Sequence, residues 1–145
     1  MFFKEEVMSS KFDGLTGHQF ERKVLGTCLA TVRGHMERTE AFAQVRRNQP
    51  PLRTQTVVAF NREVRQLLGD EARFFTAVGT SLDVHQGIDG FFEFNGVVVT
   101  IDVTMNPDKE TWKADRIVHP EDLEDIPHLV GRIVKQMQIK LSGRV

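Results

Sequence analysis

The sequence predicts an α+β (α/β) domain in which a small mixed β-sheet with a central hairpin is flanked by helices. The pair Asn95-Gly96 joins two runs rich in β-branched and aromatic residues, which is the strongest short-range signal for a hairpin. Apolar residues recur at helical spacing on both sides of these runs. The chain has 145 residues, the length of one ordinary domain, and its sequence shows no internal repeat. We therefore assign residues 1–145 to a single domain with a lead-in segment at 1–16.

The leading element is predicted as one long amphipathic helix over residues 18–46. Apolar residues continue at helical spacing along it, and Pro50-Pro51 prevents a continuation. A second helix is capped by Thr54 or Thr56 and ends at Gly69. The remaining predicted elements are a short strand at 74–78, the hairpin at 87–104, a strand at 116–119 and a closing helix at 126–141.

The composition is that of a compact protein, with 40% hydrophobic and 27% charged residues. The 19 basic and 20 acidic side chains give a net charge of −1, which excludes binding to nucleic acid through bulk charge alone. Basic side chains are nevertheless concentrated between Arg33 and Arg65, where seven arginines meet three acids. Such a run forms either a solvated helix face or a surface that follows phosphate groups. The candidates for the second role are Arg46, Arg47, Arg53 and Arg62.

Cys28 is the only cysteine, so a disulfide within the chain and a zinc site of several thiolates are excluded. This usage fits a reducing compartment. Glu5 and Glu6 stand where a signal peptide needs a long apolar run, and no stretch approaches the roughly 20 apolar residues that span a bilayer. We expect a soluble cytoplasmic protein with no membrane partner.

The two-residue turn fixes the register of the hairpin and places Asp89 opposite Asp102. Phe91 and Val98 fall on the same face as these acids, which indicates that this face is partly covered. The opposite face is predicted to be the core face, and it carries Ile88, Phe92, Phe94, Val97, Val99, Ile101 and Val103.

Two carboxylates about 5 Å apart repel by roughly 3 kcal/mol at an effective dielectric constant of about 20. A shared proton, a basic partner or a bound divalent cation each relieves this repulsion. Oxygen ligands favour Mg²⁺ or Mn²⁺. The alternative is that Asp89 and Asp102 form a solvent-exposed pair beside an ordinary lysine or arginine.

Glu21 lies inside the apolar stripe of the leading helix, between Phe20 and Val24 on one side and Leu25 on the other. A charged residue that faces the core needs a partner or a metal ion. A position in the first turn of the helix offers a second explanation, because a negative charge there interacts favourably with the helix dipole. Both explanations are open at this point.

A glutamate on a leading helix, an aspartate on one hairpin strand and an acid two residues before a polar side chain on the next strand resemble the PD-(D/E)XK nuclease superfamily. The resemblance covers residues 17–119 and implies a restriction-endonuclease-like core. In that family the acids hold one or two Mg²⁺ ions and a lysine assists the attacking water or stabilises the phosphate. The resemblance therefore implies that Glu21, Asp89 and Asp102 are metal ligands with a part in catalysis.

The sequence departs from the family pattern at Thr104, which stands where the lysine is expected. Lys109 and Lys113 follow soon after the strand, and Lys109 is our preferred substitute. Both lysines are equally explained as ordinary surface residues. Thr104 and Lys113 are then candidates for contacting the substrate.

Two further side chains precede the hairpin. His85 has the same strand parity as Asp89 if the strand begins early, so it is a candidate base or donor, or else a loop histidine. Asp83 is either an outer ligand or a capping residue. The sequence contains no phosphate-binding loop of the GxxxxGK[ST] type and no nucleophile elbow.

We expect a Mg²⁺-dependent endonuclease or exonuclease that hydrolyses phosphodiester bonds, with DNA favoured over RNA as substrate. The alternative is a catalytically inactive nuclease-like fold that acts as a nucleic-acid-binding, assembly or inhibitor protein. A third interpretation is a protein-binding domain whose phenylalanines, including Phe2 and Phe3, dock a partner or a second copy in a homodimer.

Overall fold

A computed structural model describes residue 12 and residues 14–30, 34–109 and 113–143 of the chain. Its α-helices and β-strands alternate irregularly along the sequence, with a single 3₁₀ turn at Asp122–Glu124 before the last helix. In chain order they are α1 (Gly17–Leu25), α2 (Arg38–Arg47), α3 (Gln55–Leu68), β1 (Arg73–Thr76), α4 (Ser81–Gln86), β2 (Gly90–Phe94), β3 (Val97–Val103), β4 (Arg116–Val118) and α5 (Ile126–Ser142).

The four strands form one mixed sheet in the order β1-β2-β3-β4. The first three strands are antiparallel, and β4 runs parallel to β3. Asn95 and Gly96 both have positive φ, 50° and 76°, as the predicted turn requires. The register that this turn fixes is confirmed, because Phe94 pairs with Val97 and Gly90 pairs with Ile101. The predicted α+β architecture with a central hairpin is therefore correct.

Helices cover both faces of the sheet. On one face, α1, α3 and α5 enclose the larger core, in which the rings of Phe60, Phe74 and Phe92 pack at tilted or edge-on angles with centroids 4.7–5.2 Å apart. On the other face, α2 and α4 enclose a smaller core around Phe91. The predicted cover over this second face is thus present. Ile88 was expected on the first face and lies instead in the smaller core, because the regular pairing that sets strand parity begins only at Gly90.

The single leading helix predicted over 18–46 is wrong. α1 ends after Leu25 because Gly26 adopts a φ of +71°, and its N–H closes the last turn on the carbonyl of Arg22. Apolar residues continue at helical spacing beyond Gly26 in the sequence, so their pattern did not reveal the end of the helix. Cys28 is buried off the helix, and its Sγ donates to the carbonyl of Asn48 at 3.1 Å. Val32, another apolar residue of the predicted helix, lies outside the described residues.

The short helix α4 was not predicted. It begins after Thr80 and ends at Gly87, which is in the left-handed conformation with φ of +67°. His85 therefore lies on a helix, and the strand parity that placed it beside Asp89 is wrong. Of the lead-in segment, Phe12 packs edge-on against Phe20 at 4.9 Å. Phe2 and Phe3 lie outside the described residues.

The outer side of β1 is closed by two side-chain amides. Gln49 accepts from the N–H of Thr76 at 3.0 Å and donates to its carbonyl at 2.9 Å. Asn61 on α3 accepts from the N–H of Phe74 at 3.0 Å. These bonds pair backbone groups of an edge strand with side chains. Within the described parts of the chain, no helix has the length and apolar character needed to cross a membrane.

Candidate active site

Four carboxyl groups from four parts of the fold meet at one end of the β2–β3 hairpin. Glu21 lies on α1, Asp83 on α4, Asp89 just before β2 and Asp102 on β3. Asp89 is central, because its carboxyl group is hydrogen-bonded to those of Asp102, Asp83 and Glu21. A hydrogen bond between two carboxyl groups needs a proton on one of them, so the cluster shares protons in the absence of a cation.

The backbone around Asp89 explains how its side chain enters the site. Regular pairing between β2 and β3 ends at Gly90 and Ile101. The N–H of the preceding residue, Asp89, also donates to the carbonyl of Ile101, at 2.9 Å, so the ladder is irregular at this point. The N–H of Val103 then donates to Oδ2 of Asp89 at 2.8 Å. A carboxylate oxygen thus serves as a ladder acceptor for β3. This bond fixes the carboxyl group of Asp89 beside that of Asp102.

The electrostatics of the cluster follow from burial. Asp89 and Asp102 are 2% and 7% exposed. Burial, together with the hydrogen bonds to Asp102 and Asp83, raises the pKa of Asp89 to about 11. Burial and the negative charge of Asp83 raise the pKa of Glu21 to about 7. Without a cation, these groups therefore retain protons at pH values where isolated carboxyl groups are ionised.

Lys109 completes the cluster. Its Nζ lies 2.6 Å from Oδ2 of Asp102. Burial opposes the charged ammonium, but the hydrogen bond and the negative charge of Asp102 outweigh it and raise the pKa of Lys109. The lysine is therefore a cation at neutral pH. A tight turn brings it back to the site, because Oγ1 of Thr104 accepts from the N–H of Asn106 and the carbonyl of Asn106 accepts from the N–H of Lys109.

The described residues include one set of atoms spaced for a cation, which contains Glu21 and Asp83 but neither Asp89 nor Asp102. Glu21 places Oε1 in a buried position where it accepts no hydrogen bond, although it lies 3.6 Å from Nδ1 of His18. His18, Glu21 and Asp83 each offer one potential ligand atom, and these three atoms lie within 4.8 Å of one another. Carboxylate oxygens are the ligands preferred by Mg²⁺ and Mn²⁺. A buried oxygen that lacks a donor is the kind of group a cation satisfies.

Glu21 is not explained by the helix dipole. α1 begins at Gly17, with Thr16 and Gln19 forming a capping box, so Glu21 lies beyond the first turn. The dipole effect falls off within that turn. Of the two explanations that the sequence left open, the position of Glu21 favours a partner or a metal ion. Asp83 fits both of its interpretations, since it joins the cluster and its Oδ2 also accepts from the N–H of Gly79 at 2.8 Å.

The other predicted site residues lie around the cluster. Lys113 is exposed, and its alkyl chain passes over Gly87, where an added Cβ would lie 3.0 Å from the Lys113 Cδ. His85 is exposed on α4, and its ring lies edge-on to that of His35 with centroids 6.5 Å apart. Thr104 supplies no charge to the site. Its hydroxyl accepts a hydrogen bond in the turn that brings Lys109 to Asp102.

The four candidate arginines do not form one surface. Arg46 donates two hydrogen bonds to Glu93, at 2.7 and 2.9 Å, and stacks on Phe42 and Phe91. Arg53 and Arg62 line a separate open pocket at the start of α3, and Arg62 is paired with Glu63. Arg47 is exposed on α2. The basic run in the sequence is thus distributed over several sites.

Sequence reasoning missed two features. His18 was not selected, and its only signal is its position three residues before Glu21, which places both on one side of α1. Asp115 was not selected either. Its Oδ2 accepts from the backbone N–H and the hydroxyl of Thr100 and from Nζ of Lys140 at 2.7 Å, which ties α5 to β3. No periodicity in the sequence marks these contacts.

Comparison of the chain with protein-family models, with curated proteins and with solved structures returned no match.

Proposed function

We propose that the protein is a divalent-metal-dependent hydrolase of phosphodiester bonds in nucleic acid, with DNA favoured over RNA and a fold of the PD-(D/E)XK type. The observation that carries the proposal is the convergence of Glu21, Asp89 and Asp102 with a lysine ammonium at one end of a hairpin. Asp89 and Asp102 are buried in this cluster, and burial of carboxylates costs free energy because each charge loses hydration.

In this proposal, Glu21, Asp89 and Asp102 hold Mg²⁺ or Mn²⁺, and Asp83 and His18 lie close enough to assist. A bound divalent cation polarises a phosphate oxygen and lowers the pKa of its bound water. The hydrogen bond from Val103 holds the Asp89 carboxyl group in one orientation. Lys109 contributes a fixed positive charge beside the reacting phosphate. Because its pKa is raised, Lys109 stabilises charge and does not accept the proton of the attacking water.

The alternative function is a nuclease-like fold without catalysis that binds nucleic acid or another protein. One observation favours it. Lys109 already neutralises Asp102, and shared protons join Asp89 to its neighbours, so the cluster is compensated without a cation. In that case the acids hold α1, α4 and the hairpin together. Calorimetric titration with Mn²⁺ separates the two functions, since only the hydrolase requires a site that neutralisation of Asp89 destroys.

The decisive experiment replaces Asp102 with asparagine, which keeps the shape of the side chain and removes its charge. Cleavage of DNA and RNA oligonucleotides in Mg²⁺ is compared for the wild type, Asp102→Asn and Asp70→Asn. Asp70 is an exposed acid after α3 and serves as the matched control. We expect Asp102→Asn to abolish cleavage and Asp70→Asn to retain it. Cleavage by Asp102→Asn at the wild-type rate would overturn the proposal.

A further inference from the structure

An open groove of about 280 Å³ lies between α2 and β3. Three cationic side chains and one acid contribute to its lining, together with a phenylalanine and a hydroxyl group. These residues are Arg38, Arg46, Lys140, Asp115, Phe42 and Thr100. The groove therefore combines an excess of positive charge with an aromatic ring.

Two elements of the groove also contribute to the carboxylate cluster or contact an element that does. Thr100 lies two residues before Asp102 on β3, so the two side chains leave the same face of the strand about 7 Å apart. On the opposite side, Arg38 donates to Oε1 of Gln86 at 3.0 Å, and Gln86 is the last residue of α4, the helix that carries Asp83. Both sides of the groove are thus continuous with elements that supply the acids.

Two of the three cations are held in place by ion pairs. Lys140 binds Oδ2 of Asp115 and the carbonyl of Val98, both at 2.7 Å. Arg46 is paired with Glu93. These partners fix the positions of the cations and offset much of their charge. Asp115 in turn is engaged by donors from Thr100 and Lys140, which hold its pKa below the usual value despite burial.

Arg38 differs from the other two cations. Its hydrogen-bond partner Gln86 is a neutral amide, and its guanidinium lies 5.2 Å from the centroid of the Phe42 ring. The side chain is exposed at the mouth of the groove. A guanidinium that is oriented by stacking and by a neutral partner retains its charge for an anion, and its planar donors match a phosphate.

We propose that this groove binds the sugar–phosphate backbone of the nucleic acid strand next to the phosphate at the carboxylate cluster, with Arg38 as the principal contact. The inference rests on the proposed function, because it assigns the neighbouring part of the same substrate. Thr100 and Phe42 line the same groove as Arg38, and Thr100 lies two residues before Asp102 on β3.

The test compares Arg38→Ala with Lys135→Ala. Lys135 is an exposed cation on α5 outside the groove, so its replacement removes the same charge elsewhere. Binding of labelled DNA and RNA oligonucleotides, single-stranded and duplex, is measured by fluorescence anisotropy in EDTA over a range of salt concentrations. We expect Arg38→Ala to weaken binding about tenfold and to reduce the slope of log K against log[salt] by about 1. Lys135→Ala should change neither quantity.

Cleavage in Mg²⁺ provides a second readout for the same variants. We expect Arg38→Ala to raise KM and to leave kcat at saturating substrate unchanged, since Arg38 binds the substrate outside the reacting phosphate. Binding that depends on Arg38 without any cleavage would support the groove and overturn the hydrolase. Cleavage that Arg38→Ala and Lys135→Ala affect equally would overturn the groove and leave the hydrolase. Failure of every oligonucleotide to bind and to be cleaved would overturn both.

Discussion

The Nζ atom of Lys109 lies 2.6 Å from Oδ2 of Asp102, although Lys109 follows β3 in a loop. A lysine on the strand itself would occupy position 104, where the chain has threonine. The turn that starts at Thr104 returns the ammonium to the acid from outside the sheet. A positive charge can therefore reach the same carboxylate by a different backbone path.

Replacement of Lys109 by methionine should lower kcat by at least about a hundredfold, the usual scale for loss of one charged group that stabilises a transition state. Lys109→Arg keeps the charge and should restore part of the activity. Steady-state cleavage of an oligonucleotide measures both. Lys135→Met is the control for loss of a surface cation. Equal rates for Lys109→Met and the wild type would assign Lys109 to the surface.

The stability of the metal-free protein should fall as the pH rises from about 5 to 8. The pKa of Glu21 is raised from 4.5 to about 7, so the folded chain binds a proton that the unfolded chain has released. The free energy of unfolding then falls by up to about 1.4 kcal/mol per pH unit for each such proton. The raised pKa of Asp89 acts in the same direction across neutral pH.

Urea denaturation in EDTA at pH 5.5 and 7.5 measures this difference. We expect the wild type to be more stable at pH 5.5 and Glu21→Gln to reduce the gap, because glutamine cannot ionise. Asp70→Asn should leave the gap unchanged. An identical pH dependence for wild type and Glu21→Gln would show that Glu21 does not titrate in this range.

Binding of Mg²⁺ or Mn²⁺ should release protons at pH 7. The cation needs ionised carboxylates, whereas burial keeps Asp89 and part of Glu21 protonated without it. Titration calorimetry in two buffers of different ionisation enthalpy gives the number of protons released, which we expect to be about one or two. The apparent affinity should rise between pH 6 and 8. Asp89→Asn should lose both the binding and the proton release, and heats that are independent of the buffer would contradict this account.

The contact between α5 and β3 should depend on Asp115. Replacement by alanine removes the acceptor for the N–H and the hydroxyl of Thr100 and leaves Lys140 without its anionic partner. We expect a loss of about 2–3 kcal/mol in the free energy of unfolding, the cost of leaving several partly buried donors unpaired. Chemical denaturation measures the loss. Asp108→Ala, at an exposed loop position, should change the stability by less than about 0.5 kcal/mol.

The hairpin and its register were predictable because the turn chemistry of Asn95-Gly96 is local and leaves one pairing. The break after Leu25 was not, because the apolar spacing continues across Gly26 while the chain leaves the helix. The register predicted that Asp89 and Asp102 lie close together, but regular pairing ends at Gly90 and Ile101, and the two acids meet where the ladder is irregular. The helix α4 brings Asp83 to the cluster. This helix could not be predicted, because its six residues are too few to show a periodic pattern.

The position of Lys109 was a preference between two lysines that the sequence could not separate. The turn at Thr104 and Asn106 brings Lys109 to Asp102, and it depends on side-chain hydrogen bonds that no periodic pattern encodes. The positions of the candidate arginines relative to one another could not be predicted for a related reason. Arg46 and Arg62 are close in sequence, but they lie on different helices and have different acidic partners.

The side-chain amides of Gln49 and Asn61 affect whether a further strand can pair with the edge strand β1. An edge strand with unpaired N–H and C=O groups is a template for another strand, from a second copy or from an unfolded chain. On β1 the N–H of Phe74 and both backbone groups of Thr76 already have side-chain partners. A strand that adds to the sheet at these positions would first have to break these three hydrogen bonds, which disfavours strand addition there.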